Sequence, residues 1–257
     1  MKGRSQSSSI RTKPSKLRGS KNEAKPLTVW TVRRAVAELR RHGSQRNVAG
    51  MAHFGIRSAD VYGVSKPKLD KIARDIGRNH GLGLQLWKTG NHDARLLGVL
   101  ISESHRVTAK QMEQWVKDFD NWDLCDGTCC HLFAHASPAW KKALAWTRRK
   151  SEFEKRAGFA LAAYLAVHDK SAHDKRFEPV LKAVEREAWD ERNFVRKAVN
   201  WALRNIGKRN QRLNRRAIAS AQRIRKEGTR AGRWIAADAL RELKSEAVQG
   251  RLKRKKR

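Results

Sequence analysis

The stretch DNWDLCDGTCCHLF, residues 120–133, gathers carboxylates, an indole, three cysteines and a histidine into one short run. Two kinds of chemistry could use them. Cys125, Cys129, Cys130, His131 and His135 could ligate a metal, and Cys125 and Cys129 share a face if the run is helical. Zinc sites, however, usually take ligands from two separated pairs, whereas this chain has a single cluster. Cysteine is also among the most readily buried residues, so the plain reading of LCDGTCCHLF is a core helix that binds no metal. Trp122 and Asp126 offer a different pairing: four residues apart, they project from one side of a helix. A ring face and a carboxylate on one wall suit a sugar or a cation, because the aromatic quadrupole and the acid both favour positive charge. A helix cap or an ion pair with a neighbouring arginine would account for the acid equally well.

The charge of the whole chain says what such a site would face. Lys and Arg number 58 against 25 Asp and Glu, a formal net charge of +33 over 257 residues. Residues 1–26 hold eight cations and one acid and the terminal RLKRKKR six cations, which leaves +20 of the +33 on residues 27–250. A basic body, rather than basic tails alone, points to a surface that tracks phosphates, with nucleic acid as first partner and an RNA or ribosomal role as a remoter one. No apolar run is long enough for a spanning helix, and an odd cysteine count confined to one segment excludes a disulfide framework. The expected location is cytoplasmic and nucleoid-associated.

The elements that must position these residues are helices. Residues 1–26 are rich in Ser, Lys, Arg and Pro and read as a disordered basic arm; 27–246 read as the folded domain and 247–257 as a basic tail. In TVWTVRRAVAELRR, Val29, Val32, Val36 and Leu39 fall on one face. Breaks are expected at GSQRN 43–47, YGVSKPK 62–68, HGLG 80–83, TGNHD 89–93, HASP 135–138 and HDKSAHDKR 168–176, with Pro67, Pro138 and Pro179 opening helices. Four segments begin with Arg and continue as an apolar helix, from Arg95, Arg156, Arg196 and Arg233. The last two intervals approach the length of a helical pair, while the first is longer and leaves room for an irregular unit. The fold class is therefore all-α, a HEAT-like helical-repeat solenoid whose concave basic face could cup a duplex, with an ordinary bundle as the alternative. His92, His105, His168 and His173 read as solvated residues at helix ends, and Trp87, Trp140, Trp146 and Trp189 as core.

The segments HFGIRSADVYGVSKPKLDKIARDI, LQLWKTGNHDARLLGVLISE, NWDLCD, KRAGFALAAYL and RNFVRKAVNWALRNIGKRN together resemble the AlkD-like family of DNA alkylation repair glycosylases, over most of residues 48–240. The resemblance implies HEAT-like repeats and a monomeric DNA N-glycosylase that removes cationic N3- and N7-alkylated purines from duplex DNA without flipping the base, metal or cofactor. It implies an active-site indole at Trp122, the catalytic acid at Asp126 and a second indole at Trp201. Arg156 would stand beside the site and bind DNA, and Lys197 and Arg204 would contact phosphates. Where the family often has a second Trp, this chain has Asn121, and the aromatic pair before VRKA is Asn193 and Phe194. The alternative is a protein of the same fold that binds damaged or branched DNA without catalysis.

Overall fold

The computed structural model describes residues 29–254. The expected basic arm, residues 1–26, lies outside that span. Among the described residues every regular element is helical. The chain runs through α1 (Val32–Arg41), α2 (Gln45–His53), α3 (Lys66–Ile76), α4 (His80–Trp87), α5 (His92–Ile101), α6 (Ala109–Val116) and α7 (Trp122–His131). It continues through α8 (Ala139–Trp146), α9 (Glu152–His168), α10 (Glu178–Glu187), α11 (Asn193–Gly207), α12 (Gln211–Glu227), α13 (Arg230–Leu243) and α14 (Glu246–Arg254).

Local sequence explains the starts. Asn79, Asn91, Asn121 and Asn210 each sit at an N-cap with a side-chain oxygen accepting an otherwise orphaned backbone N–H. Pro67 and Pro179 occupy the first turns of α3 and α10, and Pro138 caps α8. One expected break is instead helix: HGLG opens α4. Its second glycine lets α4 and α5 touch, since a Cβ on Gly83 would lie 2.8 Å from the Gly98 carbonyl oxygen.

Helices α3, α5, α7, α9, α11 and α13 pack each on the next and form an inner row. An outer row lies behind them, with α4 on α5, α8 on α9, α10 on α11, and α12 on α11 and α13. This is the expected helical-repeat architecture, and it explains the long first interval. Helix α7 lies between α5 and α9 and lacks the leading arginine, so Asp126 stands almost midway between Arg95 and Arg156. Helix α9 touches α7, α8 and α11, so RAGFALAA is buried on every side rather than along one stripe.

The closest approach in this part is at Gly158, where an added Cβ would fall 2.6 Å from the Thr147 amide nitrogen and 2.8 Å from the Trp146 carbonyl carbon. Backbone cannot swing aside as a side chain can. Gly158→Ala is expected to cost about 1–3 kcal/mol, read as a lower urea midpoint; an unchanged midpoint would show that α8 and α9 can separate freely.

Three expectations shift. Trp87, stacked on Trp115 at 3.9 Å, and Trp146 are core, but Trp189 is 57% exposed because it stands on the turn after α10, over the Lys155 amine. His92 begins α5 as expected yet is buried, its ring meeting Asp123 at 3.2 Å and Asn121 at 3.3 Å. The boundary expected at 246–247 falls inside α14, which buries Val248 and Leu252.

Candidate active site

Helix α7 carries the site. Asn121 is fully buried and caps the helix through Leu124, which leaves Trp122 and Asp126 one turn apart on its open side. The opposite side is core: Cys125 and Cys129 are buried and turn their thiols to the Phe153 and Ala157 carbonyls of α9, each at 3.7 Å. Burial pushes the Cys125 thiol well up, so it stays protonated and unreactive. No group of His, Cys, Asp and Glu able to hold a metal occurs among the described residues. Burial of Cys125 and Cys129 supports the core reading of those two residues, while Cys130 is half-buried.

Asp126 is engaged on both oxygens. Arg156 of α9 donates from Nε to Oδ1 at 2.9 Å and from Nη2 to Oδ2 at 2.6 Å. The same guanidinium donates from Nη1 to the Phe194 carbonyl of α11 at 2.7 Å. One side chain therefore ties three successive inner helices together. The acid keeps 16% of its side chain exposed and the arginine 8%. Burial pushes the Asp126 carboxyl above the ordinary aspartate value, and Arg156 pulls it back. A carboxylate has about four lone-pair positions and Arg156 takes two, so Asp126 keeps acceptor capacity on its open side.

The indoles are placed by other elements. Trp122 donates from Nε1 to the Phe54 carbonyl at 3.0 Å. The Phe54 segment, which joins α2 to α3, is anchored where buried Asp93 accepts the amides of Tyr62, Gly63 and Val64 at 2.7, 3.2 and 2.9 Å. Gly55, at φ +80, lies against the Phe194 ring, a position and a conformation that suit only glycine. Trp201 of α11 is half-buried and meets Tyr164 of α9 edge-on at 4.9 Å. Tyr164 faces Cys130 and Asp126, which together with burial push its hydroxyl up and keep it a neutral phenol.

Of the expected DNA contacts, Lys197 is exposed on α11. Arg156 is instead the enclosed partner of Asp126. Arg204 is held by Glu242 at 2.5 Å, with Asp238 at 3.5 Å, across to α13. Phe54 and Tyr164 belong to the site and were not singled out from the sequence, whereas Phe194, noted there only as one of the residues before VRKA, lends its carbonyl to Arg156. Tyr164 lies eight residues after Arg156, two turns along one helix side, which is the signal that could have found it.

Comparison with known proteins fits this fold. A solved structure described as belonging to a family related to the HEAT-like repeat DNA glycosylases, with affinity for branched DNA structures, superposes with a TM-score of 0.70. It is 19% identical and spans 87% of this chain and 96% of its own. An uncharacterized protein of Listeria innocua is 24% identical over 172 residues, 66% of this chain and 75% of its own length. One from Listeria monocytogenes is 23% identical over the same extent. The sequence profile of the family described as DNA alkylation repair enzyme matches residues 35–243, a span that contains Trp122, Asp126, Arg156 and Trp201, and the chain belongs to that family.

Proposed function

We propose that the protein is a monofunctional DNA N-glycosylase that releases cationic N3- and N7-alkylated purines, such as 3-methyladenine and 7-methylguanine, from duplex DNA. It acts as a monomer in the DNA-bearing cytoplasm, and no helix among the described residues is long and apolar enough to cross a membrane. The observation that carries the reading is Asp126 and Trp122 one turn apart on α7, with Tyr164 beside Asp126 and Trp201 edge-on against Tyr164.

The chemistry asks little of the protein. When the bond from C1′ to the base breaks, its electron pair cancels the positive charge of the alkylated purine, which leaves neutral and needs no general acid. The charge passes to the deoxyribose as an oxocarbenium ion, which the open side of the Asp126 carboxylate stabilises. Water then adds to C1′, and its proton goes to the carboxylate or to solvent. Trp122 and Trp201 against the sugar add cation–π attraction that grows with its charge, about 1–2 kcal/mol where water is excluded. With no tight pocket needed around the base, the lesion stays stacked while the protein grips the backbone.

The test is release of 7-methylguanine or 3-methyladenine from methylated duplex, followed against pH. Only the ionised acid works in this scheme, and burial raises its pKa. Release is expected to fall with acidification through a midpoint above 3.8, the ordinary aspartate value. A midpoint at or below that value would separate the reaction from this carboxyl group.

A second reading rests on the double engagement of Asp126 by Arg156: the same pair serves a protein that only binds DNA, with the acid acting as a strut. The structural neighbour's affinity for branched DNA is in keeping with it. Tight binding of damaged or branched DNA with no base release by the wild type would select this reading.

A further inference from the structure

The inner row carries a second aromatic position, one helix beyond Trp201. On α11 the buried stripe is Val195, Ala198, Val199, Ala202, Leu203 and Ile206, so Lys197 and Trp201 lie on the opposite, open face. Arg196 sits at the border with α13, where its guanidinium lies 5.1 Å over the Trp234 ring. Trp234 is 39% exposed, whereas Trp87, Trp115 and Trp146 fill the core.

The arginine is unusual in what it lacks. Arg156, Arg192 and Arg204 are each neutralised by a carboxylate. Arg196 forms no such pair among the described residues, and its enclosed Nε has no hydrogen-bond partner there. Among the described residues its one side-chain hydrogen bond is from Nη2 to the Asn193 amide oxygen at 3.5 Å. Trp189 makes an instructive contrast: it is more exposed, but its cation, Lys155, is already held by Glu187 and Asp190.

An open indole beside an unneutralised guanidinium matches a particular ligand. Bases within a duplex are stacked and paired and offer no free face. An unpaired nucleotide offers both a ring to lie on the indole and a phosphate to meet the arginine. The planar guanidinium can donate to that phosphate while staying stacked on the ring. Lys197 and Arg233, both exposed nearby, extend the positive path.

We propose that Trp234 and Arg196 form a subsite for an unpaired nucleotide, which takes the first single-stranded residue of a branch adjoining the duplex held over α7. This rests on the reading that the inner face holds duplex DNA, but it does not depend on catalysis. The test compares the full chain on two undamaged DNAs, a blunt duplex and the same duplex carrying a single-stranded arm, by fluorescence anisotropy. The wild type is expected to prefer the armed duplex. Trp234→Ala should weaken binding to the armed duplex by about 5- to 150-fold and leave the blunt duplex unaffected, while Trp234→Phe keeps most of the preference. Arg196→Ala should also lower the salt dependence of armed-duplex binding. Equal weakening on both DNAs, or a wild type with no preference, overturns the subsite. A wild type that binds neither DNA refutes the duplex reading itself. Trp234→Phe, with unfolding midpoints beside it, covers a failure of Trp234→Ala to fold.

Discussion

Asp126→Asn is expected to slow base release from methylated duplex by roughly a hundred- to a thousandfold, with affinity for undamaged duplex close to that of the wild type. The amide keeps the shape of the carboxylate and one acceptor oxygen for Arg156, but it carries no charge to set against the sugar cation. The exposed cations, Lys197 among them, are untouched. Single-turnover release and anisotropy on the same preparations separate the two effects. Release by the variant at the wild-type rate would remove Asp126 from the reaction, and binding lost in step with release would make the acid a structural group only.

The second large effect concerns Arg156. Its guanidinium satisfies both oxygens of a mostly enclosed acid and a carbonyl of α11. Arg156→Leu strands that carboxyl without its opposite charge, at an expected cost of about 3–5 kcal/mol in unfolding free energy. The loss also pushes the carboxyl further up, since burial is then unopposed, so Asp126 becomes protonated nearer neutral pH and release fails there. Pairing the change with Asp126→Asn removes the buried charge and should restore much of the stability without restoring release. If instead the single variant unfolds at the wild-type urea midpoint, water reaches the pair and the enclosure described above is incomplete.

How far the amino-acid sequence foretold this arrangement differs from residue to residue. Trp122 and Asp126 were legible as a pair because helical spacing alone puts them on one side. The resemblance put Arg156 beside the site, but from the residues alone its closure on Asp126 was only a generic possibility, since the contact spans separate helices and depends on how α7 packs on α9. The helical repeats showed through the recurring arginine, but α7, though read as a helix, was not recognised as a repeat member in the long first interval because an aspartate stands where that arginine recurs. The error at HGLG came from treating glycine as a breaker; between closely packed helices its missing Cβ is what permits contact. Trp189 and Trp234 lie in patterns like those of the buried tryptophans, and periodicity does not distinguish an indole that reaches a neighbour from one left over a turn. Arg204 looked free for phosphate because its partner, Glu242, comes from a different helix.

The clasp through Arg156 has a bearing on descent. A single guanidinium that serves both the Asp126 carboxylate and the cohesion of three repeats makes the two positions interdependent, so neither can drift alone without harm. A lineage that gave up the chemistry would be freest to exchange both at once for a snug oily pair, and its descendants would keep the curved scaffold while shedding acid and base together.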